Sequence, residues 1–429
     1  MVEKVLVAVI DFKDRSAWSA VDVAGEMQEL VRACAGDPVT VVYCPADPPT
    51  PATLIHKGKV EEIAGLVREQ GIQMVVFSEE LKGHHQRNLE EAFLVKTLDR
   101  TTLILDIFAR RAKSQEGQLQ VELAQLEYRL PRLAGNYEQL SRQGGGIGTL
   151  GPGETRLESD RRRIEQRIDR LRKDLQDVTR VREVKRKRRE GRYVPLVSLV
   201  GYTNAGKSTL LNALTGSDQL TRNGLFTTLD SVARQCLLPN RQKVVFSDTV
   251  GFMHALPHRL IEAFKATLEE VRSADLLLHV IDVSNPHYQK FKLSVDEVLG
   301  QLDCLDKPTV LVFNKIDLLH DPAGLEALRA RSGNTVLVSA SERINLEGLL
   351  EKVELQLADL IVKVDVVLPA TRMDLVSLAY AQGDVILEEY LPEGIHLQAY
   401  VPRHLAGRLS SSGTSGSPEG GGRIKWIVR

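Results

Sequence analysis

The apolar run Leu196-Val197-Ser198-Leu199-Val200 leads straight into Gly201-Tyr202-Thr203-Asn204-Ala205-Gly206-Lys207-Ser208. Residues Thr209-Leu210-Leu211-Asn212-Ala213-Leu214 then continue in a helical pattern. A strand feeding a G-x-x-x-x-G-K-S turn that opens a helix allows few folds. The glycines let the backbone curl until its N–H groups point at a phosphate chain. The helix N-terminus adds a dipole that favours the anion. Asn204, Ala205, Gly206, Lys207, Ser208 and Thr209 are the predicted contacts to the nucleotide. Lys207 is placed to reach the β- and γ-phosphates, and Ser208 to ligate Mg²⁺. A Gly-rich turn with an exposed lysine is the competing reading, and the flanking strand and helix weigh against it.

Three later segments turn a phosphate site into a guanine-nucleotide site. Val244-Val245-Phe246-Ser247-Asp248 is a strand ending in a carboxylate suited to Mg²⁺, and Gly251 follows with an amide able to sense a γ-phosphate. Thr309 to Phe313 is a buried strand ending in Asn314-Lys315-Ile316-Asp317. A carboxylate at Asp317 accepts hydrogen bonds from guanine N1 and N2, a donor pair that adenine lacks. Val336-Leu337-Val338 ends in Ser339-Ala340, predicted to back the guanine O6. Between the phosphate loop and Asp248 lies Leu225-Phe226-Thr227-Thr228-Leu229-Asp230. Thr228 is the residue predicted to complete the metal shell and to order a switch segment in the triphosphate state. In order and at this spacing, the segments resemble the five signature motifs of translation-factor-class GTPases. The predicted cofactors are GTP or GDP with Mg²⁺, and Lys207, Thr228 and Gly251 are the predicted catalytic groups.

Phe252 stands directly after Gly251, where many small GTPases carry a Gln that orients the attacking water. A phenyl ring cannot do this. Either a shifted polar residue such as His254 acts, or hydrolysis is slow until a partner, backbone groups or a cation completes the site. Asn204 is at a position where several such GTPases bind K⁺ beside the phosphates, so K⁺ is a further expectation.

Composition narrows the setting. The 429 residues are 43% hydrophobic and 26% charged with a net charge of −1, so no global basic field marks a nucleic-acid binder. Cys34, Cys44, Cys236 and Cys304 are scattered without a C-x-x-C pair, as expected of buried thiols in a reducing cytosol. No apolar run approaches the ~18 residues of a membrane span. The opening stretch, Met1 to Ile10, is expected to be a first strand and not a signal peptide. A cytoplasmic location follows. His84-His85 reads as a solvated turn.

The fold class expected is α/β, in four parts. Residues 1–112 form an N-terminal α/β domain, with strands predicted at Val5–Ile10, Val39–Cys44, Met74–Phe77 and Thr102–Ile107. Residues 113–192 carry two apolar seams: Leu119, Leu123, Leu126, Leu130 and Leu133, then Leu157, Ile164, Ile168, Leu171, Leu175, Val178, Val181 and Val184. These predict an antiparallel helical hairpin with a glycine-rich loop at 142–153. Residues 193–358 form a P-loop GTPase domain with a doubly wound sheet, in which Pro257–Val271 is the helix that moves with the switch. Residues 359–429 form a small C-terminal α+β domain.

The loop, Gly144-Gly145-Gly146-Ile147-Gly148 with Gly151-Pro152-Gly153, keeps Ile147 and Leu150 and is poor in the polar residues of a plain linker. It suits a tip that must approach another surface closely. Arg161, Arg162, Arg163, Arg167, Arg170, Arg172 and Lys173 follow, then Lys185 to Arg189, a local basic cluster in a neutral chain.

These residues carry a family resemblance. The glycine loop with Glu154-Thr155-Arg156-Leu157-Glu158, Leu105-Asp106-Ile107-Phe108 and Gln120-Val121-Glu122-Leu123-Ala124-Gln125-Leu126 resemble the HflX family of ribosome-associated GTPases. The likeness covers residues 1–358 well and the tail least. It implies binding to the large ribosomal subunit and its rRNA in the GTP state, and splitting or rescue of stalled ribosomes under stress. The glycine loop would reach rRNA near the peptidyl-transferase region, with hydrolysis slow alone and stimulated by ribosomes. A monomer is expected. A GTPase of ribosome assembly or of another RNA process is the alternative. A protein-directed regulator is a third, distinguished by binding that salt leaves largely unchanged.

Overall fold

The computed structural model describes residues 2–12, 18–46, 48–133, 152–189, 194–216, 225–226, 232–255, 257, 265–319, 328, 333–358 and 361–415. Thr228, residues 142–151 of the glycine loop and the tail beyond Ser415 lie outside them. The chain divides into two compact units. One is Met1–Val178 with Arg222–Asp230 and Met253–Thr267; the other holds the remaining residues.

In the first unit, strands β1 (Glu3–Asp11), β2 (Gly36–Pro45), β3 (Met74–Phe77) and β4 (Lys96–Asp99) make a parallel sheet of order β2-β1-β3-β4. Helices α1 (Ala20–Ala33), α2 (Lys57–Gln70), α3 (Gly83–Phe93) and α4 (Arg100–Arg111) connect or follow them. The apolar residues of β1 are buried on both faces, as a parallel strand under helices requires. Val5–Ile10, Val39–Cys44 and Met74–Phe77 are strands as expected. Thr102–Ile107 is not: it lies inside α4. The Asp99 carboxylate caps that helix, accepting from the Thr102 N–H at 2.9 Å, so the strand stops at Asp99 and a helix starts.

Helices α5 (Gln115–Arg129) and α6 (Pro152–Arg189) follow. Leu123, Ile168 and Leu171 are buried between them, flanked by Leu119, Leu126, Leu130, Ile164 and Leu175, so residues of both seams share one core. The direction differs from expectation. Arg167 pairs with Glu122 at 2.7 Å and Arg172 with Glu127 at 2.7 Å. Both partners advance together along the sequence, so the two helices run the same way and not antiparallel. Pro131 ends α5 in a 3-10 turn at Leu130–Arg132, well before the glycine loop.

The second unit holds the expected doubly wound sheet. Its strands are β5 (Leu196–Gly201), β6 (Val232–Leu237), β7 (Lys243–Asp248), β8 (Leu276–Asp282), β9 (Thr309–Asn314) and β10 (Thr335–Leu337). The order is β10-β9-β8-β5-β7-β6, parallel except for the β6–β7 hairpin. The chain leaves β5 to one side for β7 and to the other for β8, which puts the switch point of the sheet at the end of β5. Helices α7 (Lys207–Thr215), α8 (Lys265–Ser273), α9 (Tyr288–Gln301) and α10 (Leu346–Leu357) accompany it. Of the expected switch helix, Pro257 and the part from Lys265 are described, and the latter is helical.

The C-terminal residues fold as β11 (Ile361–Leu368), α11 (Met373–Gln382), β12 (Asp384–Leu391), β13 (Gly394–Pro402), α12 (Arg403–Ser412) and β14 (Thr414–Ser415), in sheet order β12-β13-β11-β14. They are tied to the β6–β7 turn: Lys243 Nζ lies 3.1 Å from Asp384, and the Tyr400 hydroxyl donates to the Asn240 carbonyl at 2.9 Å.

His279 sits in β8 with 1% exposure. Burial, then the charges of Lys292 and Lys207, push its pKa down to about 3. Asp296 lies 3.7 Å away but is paired with Lys292 at 2.6 Å, which blunts its pull on the imidazole. A lowered folded pKa means that the unfolded chain takes the proton first. Stability at this site is therefore intact above about pH 6.5 and is lost as pH falls toward 3. We expect thermal unfolding followed by calorimetry to show His279 contributing up to about 1.4 kcal/mol per pH unit in that window, and a His279→Gln variant to lose that part of the slope.

Candidate nucleotide-binding site

The phosphate loop forms because β5 ends against β8 with no room for a side chain. Gly201 has φ +154°, and a Cβ there would lie 2.3 Å from the Val280 carbonyl oxygen. Gly206, at φ +93°, caps α7 and would meet Asn314 Nδ2 at 2.3 Å. Asn204, between them, adopts a left-handed φ of 62°, which Asn tolerates better than most residues. Tyr202 anchors the loop from outside, its ring stacked on Phe291 of α9 at 4.3 Å.

Lys207 is 6% exposed and folds back over the loop, donating to the carbonyls of Gly201 at 3.1 Å and Tyr202 at 2.9 Å. Burial pushes its pKa down to about 8, against the pull of Asp248. Two of its three N–H groups are thus fixed by the loop, which aims the remaining one. Next to it, Ser208 Oγ donates to Asp248 Oδ2 at 2.5 Å. A hydroxyl and a carboxylate this close suit a hard, oxygen-seeking cation such as Mg²⁺.

The base-reading residues converge on the same loop. Asn314, 1% exposed, donates from Nδ2 to the Ala205 carbonyl at 2.9 Å and accepts at Oδ1 from the Ala340 N–H at 3.0 Å. Its amide is committed to holding three loops together. The Ala340 N–H is committed as well, so Ala340 acts here by locking its loop. Lys315 takes φ 65° and pairs with Asp282 at 2.6 Å. Ser339 is fully buried and accepts from the Glu342 N–H at 3.1 Å. Asp317 Oδ1 is buried with no hydrogen-bond partner among the described residues. A lone buried acceptor beside these loops fits the N1–H and N2–H donors of guanine.

Gly251 closes the site from β7. A Cβ there would lie 2.9 Å from Thr203 Cγ2 and 3.1 Å from Lys207 Nζ. Phe252 is fully buried, and its backbone zips onto the phosphate loop: its N–H donates to Gly201 O at 3.1 Å, and its carbonyl accepts from the Thr203 N–H at 2.8 Å. Its ring serves as an anchor. His254, the polar alternative, is engaged within the N-terminal unit. Its ring stacks on Trp18 at 4.4 Å, and its carbonyl accepts from Arg100, which is paired with Glu26 at 2.8 Å. In the same unit Phe226 packs edge-on against Phe108 at 4.7 Å. Sequence reasoning missed both attachments, since an ordinary Arg at a helix start and a Phe before two threonines carry no local signal.

Comparison with known proteins places the chain among GTP-binding GTPases. Three family profiles cover most of the chain: a GTP-binding GTPase N-terminal region at residues 22–109, a GTP-binding GTPase middle region at 111–189 and a 50S ribosome-binding GTPase at 196–315. The GTPase HflX of Caldanaerobacter subterraneus subsp. tengcongensis is 44% identical over 405 residues, 94% of this chain and 92% of that one. The GTPase HflX of Lacrimispora saccharolytica is 43% identical over 95% of each chain. Among solved structures, a GTP-binding protein from Sulfolobus solfataricus in complex with GDP matches at 26% identity and a TM-score of 0.43, over 82% of this chain and 98% of that one.

Replacing the Asp317 acceptor by a donor should reverse its preference. Asp317→Asn is expected to weaken GTP binding by about 100-fold, the scale of a buried polar group left unpaired. It should also strengthen binding of xanthosine triphosphate, whose O2 accepts where guanine donates; fluorescent nucleotide titration reads both.

Proposed function

The chain belongs to the HflX family of GTPases and hydrolyses GTP, and from that premise we propose that it is a nucleotide-switched factor of the large ribosomal subunit. In the GTP state it binds the subunit and its rRNA, and it splits or rescues stalled ribosomes in the cytoplasm under stress, acting as a monomer. The observation that carries this reading is the arm. Helix α6 runs for 38 residues, about 57 Å at 1.5 Å per residue, and begins directly after the glycine loop.

Its exposed arginines are met by carboxylates: Arg161 by Glu165, Arg162 by Glu158, Arg167 by Glu122 and Arg172 by Glu127. Such exposed pairs contribute only about 0.2–1 kcal/mol each, so a phosphate backbone can displace them. The description of the profile over residues 196–315 as a 50S ribosome-binding GTPase supports the same partner.

In the catalytic centre, Lys207 draws charge from the β- and γ-phosphates, and Gly251 presents its amide to the γ-phosphate. Thr228 and Ser208 would hold Mg²⁺ with Asp248 behind them, and the ion would supply charge neutralisation at the phosphates. Phe252 leaves the attacking water without a side-chain partner, so the subunit organises that water, and Asn204 would hold a K⁺ that adds positive charge beside the phosphates.

Sedimentation with purified large subunits tests the proposal. The chain should pellet with subunits in a non-hydrolysable GTP analogue and stay in the supernatant with GDP. Raising salt from 50 to 200 mM should cut binding by about 10³-fold or more, the scale for several phosphate contacts. Deleting Gly144–Gly148 should impair subunit binding while sparing intrinsic hydrolysis. Equal pelleting in both nucleotides contradicts the proposal, and pelleting only with precursor particles assigns the chain to ribosome assembly.

A further inference from the structure

Thr203 is the third residue of the phosphate loop, and neither the loop's sequence pattern nor the base-reading motifs give its side chain a task. It is 6% exposed, and its Oγ1 is buried with no hydrogen-bond partner among the described residues. A buried hydroxyl left unsatisfied is costly, and folded chains seldom keep one without a reason.

Its surroundings supply the reason. The Thr203 N–H donates to the Phe252 carbonyl, which fixes the backbone. Thr203 Cγ2 and Lys207 Nζ both lie within 3.1 Å of the point a Gly251 Cβ would occupy. Thr203, Lys207 and Gly251 therefore surround one small volume. Two of the three are the groups that meet a γ-phosphate in the reading above, and the third carries a spare donor. The Thr203 methyl faces Gly251. The hydroxyl shares its Cβ, one rotamer step away, so it can turn to an anion entering that volume.

We propose that the Thr203 hydroxyl is a direct ligand of the γ-phosphate, donating to one of its oxygens and distinguishing GTP from GDP. The inference rests on the GTPase assignment, which Lys207 tests separately. Backbone amides of the loop hold the α- and β-phosphates in both nucleotides. A side-chain donor at Thr203 acts only when the third phosphate is present. A hydroxyl bonded to a charged oxygen is among the stronger hydrogen bonds, so its loss is measurable.

The test compares Thr203→Val, which keeps shape and removes the hydroxyl, with Thr203→Ser, which keeps the hydroxyl. In the full chain, affinities for GDP and for a non-hydrolysable GTP analogue are measured by titration calorimetry, with single-turnover hydrolysis and the melting temperature alongside. Thr203→Val should lose about tenfold or more in GTP-analogue affinity with GDP affinity unchanged. It should melt no lower than the parent, because the unsatisfied hydroxyl is gone. Thr203→Ser should restore the GTP preference. Equal losses for GDP and the GTP analogue would overturn the proposal in favour of a structural role, and so would an unchanged preference in Thr203→Val. If Thr203→Val does not fold, Thr203→Ala against Thr203→Ser gives the same comparison. Loss of all nucleotide binding in Lys207→Ala, with or without an effect at Thr203, separates failure of this inference from failure of the GTPase assignment.

Discussion

Asn314 makes two hydrogen bonds in opposite directions, and the nucleotide site holds its shape because of them. Its Nδ2 donates to Ala205 of the phosphate loop, and its Oδ1 accepts from Ala340 of the loop after β10. Phosphate cradle, Asn-Lys-x-Asp segment and Ser339-Ala340 loop come from three strand ends far apart in sequence. A single buried amide joins them at the switch point of the sheet. Gly206 is fixed by the same geometry, since any side chain there would strike Asn314. Buried amides bonded at both ends rigidify what they join, so the site is preorganised before a nucleotide arrives.

Much of this was legible in the sequence because short-range chemistry dictates it. The G-x-x-x-x-G-K-S turn needs glycine where the chain approaches Val280 and Asn314, and it needs Lys and Ser where phosphate and metal sit. The structure brings Lys207, Ser208, Asp248, Asn314 and Ala340 into one site, with Asp317 presenting a buried acceptor. Strands β1 and β3 were legible for a similar reason, since parallel strands buried on both faces read as apolar runs; the edge strand β2, with Val39 and Tyr43 exposed, was legible from its β-branched and aromatic residues.

The misreadings share a cause: long-range context outweighed local pattern. Thr102–Ile107 is rich in β-branched residues, yet the Asp99 cap and burial of Leu103, Ile104 and Ile107 against its own unit make it a helix. The seams of α5 and α6 showed that the helices pack, but not their direction, because a heptad is the same read either way. Only the ion pairs to Glu122 and Glu127 reveal it. Thr203 left no trace in the sequence, because a Thr inside the variable part of a phosphate loop becomes informative only once its hydroxyl is seen buried and unsatisfied.

The central claim is that a preorganised guanine site is switched on by the large ribosomal subunit, since Phe252 is a buried anchor and does not orient water. GTP hydrolysis by the purified chain, with and without purified large subunits, in K⁺ and in Na⁺ buffer, tests it most directly. The account predicts slow hydrolysis alone and strong stimulation by subunits, larger in K⁺. Unchanged hydrolysis on adding subunits in either salt would contradict it and would point to a different partner for the arm.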